Sequence, residues 1–286
     1  MVPVLRAAIG TYPHTRALKS GEVKSDFLRL DFAELSPINR AFAPMVRESK
    51  FDVCEMAITT FLQAKAYGKP LVLLPVVMAA RFQEGALLCR ADSDLRGPAD
   101  LVGRRVGVRA YSQTTGMWLR GVLAEAYGLR PEQVHWVTFE DAHVAEYRDP
   151  PWIERAQPGK EMLPMLRVGE LDAVIVGNDV PDDPGLRTVV PDPRAAADDF
   201  WRRHGFMSVN HLVVAARRLA EARADLVTEL IRMFRKSAAL AGPGFGRGAL
   251  EPAIVLALRY ATEQGLLPRR LGAEEVFDLV QRSEYE

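Results

Sequence analysis

The sequence is poor in the features that announce most functional classes. It has two cysteines in 286 residues. Cys54 and Cys89 both sit inside apolar runs, which fits reduced buried thiols and excludes a disulfide framework. It has no excess of either charge: 37 Lys and Arg stand against 37 Asp and Glu. No whole-chain field therefore draws it to nucleic acid or to an anionic membrane. The longest apolar run, Pro70 to Ala80, falls well short of the ~20 residues of a membrane-spanning helix, so membrane insertion is not expected. Met1 to Gly10 carries one Arg and no apolar core of signal-peptide length, and a strand starts at once. The natural reading is a cytoplasmic protein. A chain trimmed of a signal peptide, and hence periplasmic, would read the same.

Motifs for several chemistries are missing too. There is no phosphate-binding G-x-x-x-x-G-K-[ST], and no G-x-G-x-x-G between a strand and a helix. "GPGFGRG", residues 242–248, is Gly-rich but lies late in the chain between helices and reads as a linker. No G-x-S-x-G nucleophile elbow occurs, and no H-E-x-x-H or paired C-x-x-C. His14, His135, His143, His204 and His211 are scattered. Neither a metal nor any other cofactor is expected.

What is present is alternation of strand and helix, in a chain longer than one compact core usually covers. This predicts an α/β fold with mainly parallel sheets and two lobes. Strands are expected at 4–9, 28–32, 51–56, 71–78, 85–90, 105–109, 134–139, 171–176 and 207–215. Ser36 and Pro37 read as an N-cap and first helical position of a helix to Glu48, and Thr59 or Thr60 as the cap of a helix to Tyr67. Further helices are expected at 114–127, near 160–168, at 194–203 and through 217–282. Residues 179–194 read as a loop. "ADSDLRGPADLVG" marks a first crossing between lobes, and the strand at 207–215 the return. One lobe is then residues 1–92 plus 207–286, and the other 93–206. "SKFDVCEMA" and "GELDAVIVG" repeat one order of polar turn, hydrophobe, Asp and short strand, one in each lobe. Asp52 and Asp172 read there as turn-capping groups.

The stretch "RRVGVRAYSQTTGMWLRGVL" passes from strand to helix with no gap. Its corner, Tyr111, Ser112, Gln113, Thr114 and Thr115, carries a hydrogen-bonding group at every position. In open α/β sheets ligands lie beyond the carboxyl ends of strands, where helix N-termini favour an anion. Three hydroxyls suit a carboxylate better than a polyphosphate; the plain alternative is an N-cap, which needs only one of them. The corresponding corner of the first lobe, "CEMAITTF", offers Glu55, Thr59 and Thr60. Arg81 ends an apolar strand and suits bidentate carboxylate recognition, or a loop salt bridge. Asn210 and His211 stand inside the return strand, where a structural histidine is the plain alternative to a functional one. Tyr12 after the first strand and Asn178 after strand 171–176 complete the expected ligand contacts.

"FDVCEMAITTFLQAKAYGKPLVLLPV", "ALLCRADSDLRGPADLVGRRVGVRAYSQTTGMWLRGVLAEAYGL" and "HWVTF" together resemble the 4,5-dihydroxyphthalate decarboxylase group, which is similar in turn to the type 2 periplasmic-binding-protein fold. The likeness is close over residues 50–140 and looser at "GELDAVI" and "VNHLVV". It implies two α/β lobes with a ligand cleft between them, and places Glu55, Arg81, the Tyr111–Thr115 corner and His211 near that cleft. It departs from the group at "GTYPHTRAL", where an acidic and basic cluster is usual, and at Arg81, preceded here by Ala80. The activity implied is cofactor-independent decarboxylation of a small hydroxylated aromatic carboxylate. His211 is the expected general acid, Glu55 the group holding a phenolic hydroxyl, and Arg81 with Ser112–Thr115 the carboxylate grip. The alternative is a solute-binding protein for a small carboxylate, whose partner would be a transporter permease. The C-terminal helices offer a face for homo-oligomerisation unless the first lobe fills it.

Overall fold

The computed structural model describes residues 2–177, 180–239 and 247–278. The first part of the chain forms β1 (Val4–Ala8), α1 (Pro13–Lys19), β2 (Arg29–Phe32), α2 (Phe42–Glu48), β3 (Val53–Ala57), α3 (Ile58–Ala66) and β4 (Leu71–Ala80). Then come β5 (Leu87–Arg90), β6 (Arg105–Val108), α4 (Thr114–Tyr127), β7 (His135–Thr138), β8 (Glu154–Arg155), α5 (Met162–Arg167), β9 (Ala173–Ile175), β10 (Leu186–Thr188) and α6 (Pro193–His204). The chain returns through β11 (Val209–Ala216) to α7 (Arg217–Ala222), α8 (Ala224–Ala239), α9 (Arg247–Glu263) and α10 (Ala273–Val276).

These elements fall into two compact units. Unit 1 takes the chain up to Ala80, Val209–Leu258 and the part from Pro268; unit 2 takes Arg81–Ser208 and Arg259–Leu267. The first boundary thus precedes the expected crossing near 92. The reason is pairing: β5 lies between β9 and β10, antiparallel to both, and so belongs to the second sheet. Residues 259–267 also leave the lobe to which they were assigned, and their Gln264 and Tyr260 side chains bond into unit 2.

Each unit is built on one sheet. Unit 1 has the order β2-β1-β3-β11-β4 and unit 2 the order β10-β5-β9-β6-β7-β8. Read from the other edge, the second repeats the first with one strand, β8, added beyond β7. In both, two parallel neighbours flank a first strand, and two antiparallel steps follow (β3 to β11 to β4; β9 to β5 to β10). The short sequence echo marks the equivalent strands β3 and β9. The aspartates before them do the same work: Asp52 Oδ2 accepts from the Arg6 N–H at 2.9 Å, and Asp172 Oδ2 from the Arg105 N–H at 2.8 Å. Each pins the start of its strand to the neighbouring one.

Local sequence explains most boundaries. β3 is buried along its whole length, with strands on both sides of it, hence an apolar run broken only by Glu55. Pro75 is accepted in β4 because β4 is an edge strand and its pairing with β11 is irregular there. α4 stops at Gly128 in the left-handed region, and α6 opens with Asp192 accepting from the Ala195 N–H at 2.9 Å ahead of Pro193.

Some expectations fail. Ser36 and Pro37 do not start an α-helix; a 3-10 turn at Ile38–Ala41 intervenes before α2. Ala57, not a threonine, is the N-cap of α3, because β3 runs straight into the helix; Thr59 and Thr60 lie within its first turn. The loop expected at 179–194 contains β10, and α1 and β8 were not foreseen. Of the "GPGFGRG" linker, residues 242–246 lie outside the described residues, and α9 starts at Arg247.

Candidate functional site

In unit 1 the candidate residues gather on Glu55, in the middle of β3. Its side chain has no exposed surface, and three protein donors fill its oxygens. Oε2 accepts from the Gly10 N–H at 2.9 Å. Oε1 accepts from the Tyr12 hydroxyl at 2.6 Å and lies 2.7 Å from His211 Nδ1. A carboxylate only accepts, so Nδ1 carries the proton and Nε2 is the working nitrogen of the ring. The expectation that Glu55 itself holds a ligand hydroxyl therefore meets a carboxylate already occupied and shut from solvent.

The backbone explains this convergence. His211 pairs with Ala57 on one side and Ala79 on the other, and the β4 pairing shifts register on both sides of it. Such irregularities re-aim a side chain. Phe42 sets its ring edge-on to the imidazole at 5.3 Å. After β1 the chain turns sharply, and Thr15 Oγ1 holds the turn, donating to the Gly10 carbonyl and accepting from the Tyr12 N–H, both at 2.8 Å. Gly10 is required: a Cβ there would come within 2.6 Å of the Tyr12 ring. His14 stacks on Tyr12, ring centroids 5.2 Å apart.

Burial sets the electrostatics. It raises the Tyr12 phenol far above its usual value, and the charge and hydrogen bond of Glu55 add to this. Tyr12 stays protonated and donates. Burial lowers the His14 imidazole, against the pull of Glu55. It also raises the Cys54 thiol, with Glu55 adding to the effect; both Cys54 and Cys89 are free and buried.

In unit 2 the candidates gather at the start of α4. Arg81 Nη2 donates to Thr115 Oγ1 and to the Gly177 carbonyl, each at 3.0 Å. The carbonyl follows β9, so Arg81 is fixed where two strand ends meet a helix N-terminus. Gln113 occupies the N-cap position of α4 without capping through its side chain. Ser112, Thr114 and Thr115 are buried, and Gln113 Oε1 is buried with no hydrogen-bond partner.

Tyr111 differs from expectation. Its ring is fully buried, edge-on to Trp136 and Trp152 and under the Arg120 guanidinium, 3.9 Å from the ring centre. Burial pushes its phenol up to about 12. Tyr111 anchors the corner from behind instead of lining its front. Asn210 is buried in β11 beside His211, and Thr59 and Thr60 are buried in α3. Asn178 lies outside the described residues. Among the described residues no group of three or more His, Cys, Asp or Glu has the geometry of a metal site, and no helix is long and apolar enough to cross a membrane. A surface cavity of about 210 Å³ beside Lys160, Met165 and Val168 contains none of these side chains.

Sequence reasoning missed Gly10, Thr15, Phe42 and Arg120. Gly10 and Thr15 carried a usable signal, since they flank the first strand-to-helix corner as the hydroxyl residues flank the second. Arg120 was visible as a charge among the apolar positions Met117, Trp118 and Val122 of α4.

Comparison with known proteins follows this geometry. Residues 30–148 match the family model described as NMT1/THI5 like. The 4,5-dihydroxyphthalate decarboxylase of Pseudomonas putida is 31% identical over 211 residues, covering 69% of this chain and 81% of that one. The enzyme of the same name from Comamonas testosteroni is 29% identical over 256 residues, covering 83% and 75%. Among solved structures, a putative sulfonate-binding protein SsuA of Methylobacillus flagellatus has a TM-score of 0.59 at 11% identity, covering 96% of this chain and 91% of that one. The aliphatic sulphonate binding protein SsuA of Escherichia coli has a TM-score of 0.54 at 16% identity, covering 100% and 83%. At such identities these structures speak for the fold alone. The two sheets of repeated order and the decarboxylase relatives agree: the chain belongs to the 4,5-dihydroxyphthalate decarboxylase family, built on the two-lobed type 2 periplasmic-binding-protein fold.

Proposed function

We propose that the protein is a cofactor-independent decarboxylase of a small hydroxylated aromatic carboxylate. The observation that carries the reading is the His211–Glu55 pair, with Nδ1 2.7 Å from a carboxylate of no exposed surface. Glu55 fixes the ring and its tautomer and stabilises the imidazolium, as a buried acid does for any histidine that moves protons. His211 Nε2 delivers a proton to the ring carbon that bears the carboxylate. The ortho or para hydroxyl of the substrate feeds electrons into the ring and stabilises the cationic intermediate. The C–C bond to the carboxylate then breaks, CO2 leaves, and the bonding pair restores the aromatic ring. The sum is one proton taken up and one CO2 released, with no redox change and no cofactor. Arg81 and the Ser112–Thr115 corner would hold a carboxylate. Tyr12 holds Glu55 from the side opposite Gly10.

The test is CO2 release, or change in aromatic absorbance, with 4,5-dihydroxyphthalate and its close relatives. His211→Gln should bind and fail to turn over, because an amide cannot deliver a proton; the loss should be about a hundredfold to ten-thousandfold. Wild-type protein that binds these acids and releases no CO2 overturns the enzyme. It would favour the second reading, a solute-binding protein working with a transporter permease, to which the anchored Arg81 is equally suited. A fully active His211→Gln would keep the enzyme and discard this mechanism.

A further inference from the structure

Arg120 is a fully buried cation that the reading above does not use. It stands on the second turn of α4 and is 1% exposed. Nη2 donates to the Tyr111 carbonyl at 2.6 Å, and Nε to Gln264 Oε1 at 2.8 Å. Gln264 in turn donates to the Met117 carbonyl at 2.8 Å. The guanidinium lies 3.9 Å from the Tyr111 ring centre and 5.3 Å from that of Trp136. All of these partners are neutral. Nη1 is buried with no hydrogen-bond partner. Among the described residues no carboxylate comes within ion-pair distance of it. Asp149 acts on it only through space.

The helix also makes room for this group. A Cβ on Gly116 would lie 2.9 Å from Arg120 Nη1. Gly116 thus accommodates the guanidinium, although glycine is an unfavourable residue inside a helix. Arginine does not give up its proton, and a buried charge without a counter-ion is strongly unfavourable. Two unfavourable features therefore meet behind the first turn of α4. The same turn carries Thr115, on which Arg81 is anchored, and the helix N–H groups that favour an anion.

We propose that Arg120 is a positioning residue whose buried charge makes the 111–116 corner select anionic ligands, the ligand's carboxylate being its missing counter-ion. The proposal rests on the carboxylate reading given above. It acts on two levels. Nη2 holds the Tyr111 carbonyl and so the shape of the corner. The charge itself, unlike a surface lysine, works without solvent screening.

The test uses the full chain, with phthalate as the anionic probe and catechol as the neutral one, by calorimetric titration. Arg120→Gln should weaken phthalate binding on the order of tenfold or more and change catechol binding by less than about twofold. Arg120→Lys keeps the charge and loses the fork, and should restore most of the phthalate affinity. Equal losses for Lys and Gln, or equal losses for both probes, would mean a purely structural role and overturn the proposal. Asp149→Asn leaves Arg120 in place and removes the carboxylate in its field. At pH 8.5 it should tighten phthalate binding severalfold; unchanged or weaker binding counts against the proposal even if the Arg120 variants do not fold. Wild-type protein that binds no phthalate overturns the carboxylate reading and this proposal together. Wild-type binding with an unaffected Arg120→Gln overturns this one alone.

Discussion

Glu55→Gln is the substitution for which the structure gives the clearest forecast. The residue has no exposed surface, so a glutamine there cannot turn to water. It must meet the Gly10 N–H, the Tyr12 hydroxyl and His211 Nδ1 with one carbonyl oxygen and one NH2. If the oxygen takes the place of Oε1, Tyr12 and His211 keep their acceptor and the Gly10 N–H faces a second donor. If it takes the place of Oε2, Gly10 is satisfied, the Tyr12 hydroxyl rotates to accept, and His211 must adopt the other tautomer. The first arrangement is the one that keeps the His211 tautomer and leaves Tyr12 a donor. It leaves one buried backbone N–H orphaned, at about 1–3 kcal/mol, and removes the charge assistance from two more bonds. Relief from burying a charge offsets part of this. A net destabilisation of about 2 kcal/mol follows, or a fall in Tm of roughly 3 °C for a chain of this size. Tyr12→Phe orphans no backbone group and should cost about half as much. The two changes should be non-additive, since they share one oxygen. Thermal melts followed by circular dichroism check all three variants. A Glu55→Gln Tm within about 1 °C of wild type would refute the claim that Glu55 is a buried acceptor of three bonds.

Other expectations concern separate parts of the molecule. Burial pushes the Glu125 carboxyl up, but hydrogen bonds from Tyr260, Arg259 and His204 outweigh it and leave its pKa below 4.5. A lowered carboxyl stabilises above its unfolded pKa and loses that contribution as pH falls through the folded value, so Glu125→Gln should flatten the acid limb of a stability–pH curve below about pH 4.5. His14 has the opposite charge type: burial holds its pKa below 6.5, so it stabilises when neutral and the contribution is lost as pH falls below 6.5. Denaturant melts of His14→Phe should show a shallower decline between pH 6.5 and 5 than wild type. Gly121→Ala would put a Cβ 2.1 Å from the Tyr260 ring, which is fully buried; chemical denaturation should show a loss of about 1–3 kcal/mol. Arg81→Ala should abolish the rise in Tm that aromatic carboxylates give the wild type, and an unchanged rise would remove Arg81 from the carboxylate grip.

The sequence carried the architecture because architecture depends on period and punctuation. The alternation in "RRVGVRA" and the helical spacing from Met117 placed β6 and α4 closely. The echo of "FDVCEM" in "LDAVIV" picked out β3 and β9, which the two sheets hold in equivalent positions. What period does not contain is partnership. β5 reads like a continuation of the β4 style, and only its pairing with β9 and β10 assigns it to unit 2. The site divides along the same line. Glu55 and His211 stood out as polar residues in apolar strands, yet 156 residues separate them, and nothing local says that one oxygen would serve both His211 and Tyr12. That meeting depends on β11 lying against β3 and on the shifts of register around His211. Tyr111 was misplaced for a related reason. A hydrogen-bonding side chain in a corner of hydroxyls reads as one of the set, whereas an aromatic ring beside a buried arginine is drawn under the guanidinium. The corner has two faces, and residue type alone did not say which residue takes which. Arg120 decides it, since its guanidinium draws the Tyr111 and Trp136 rings close on the buried side of the corner.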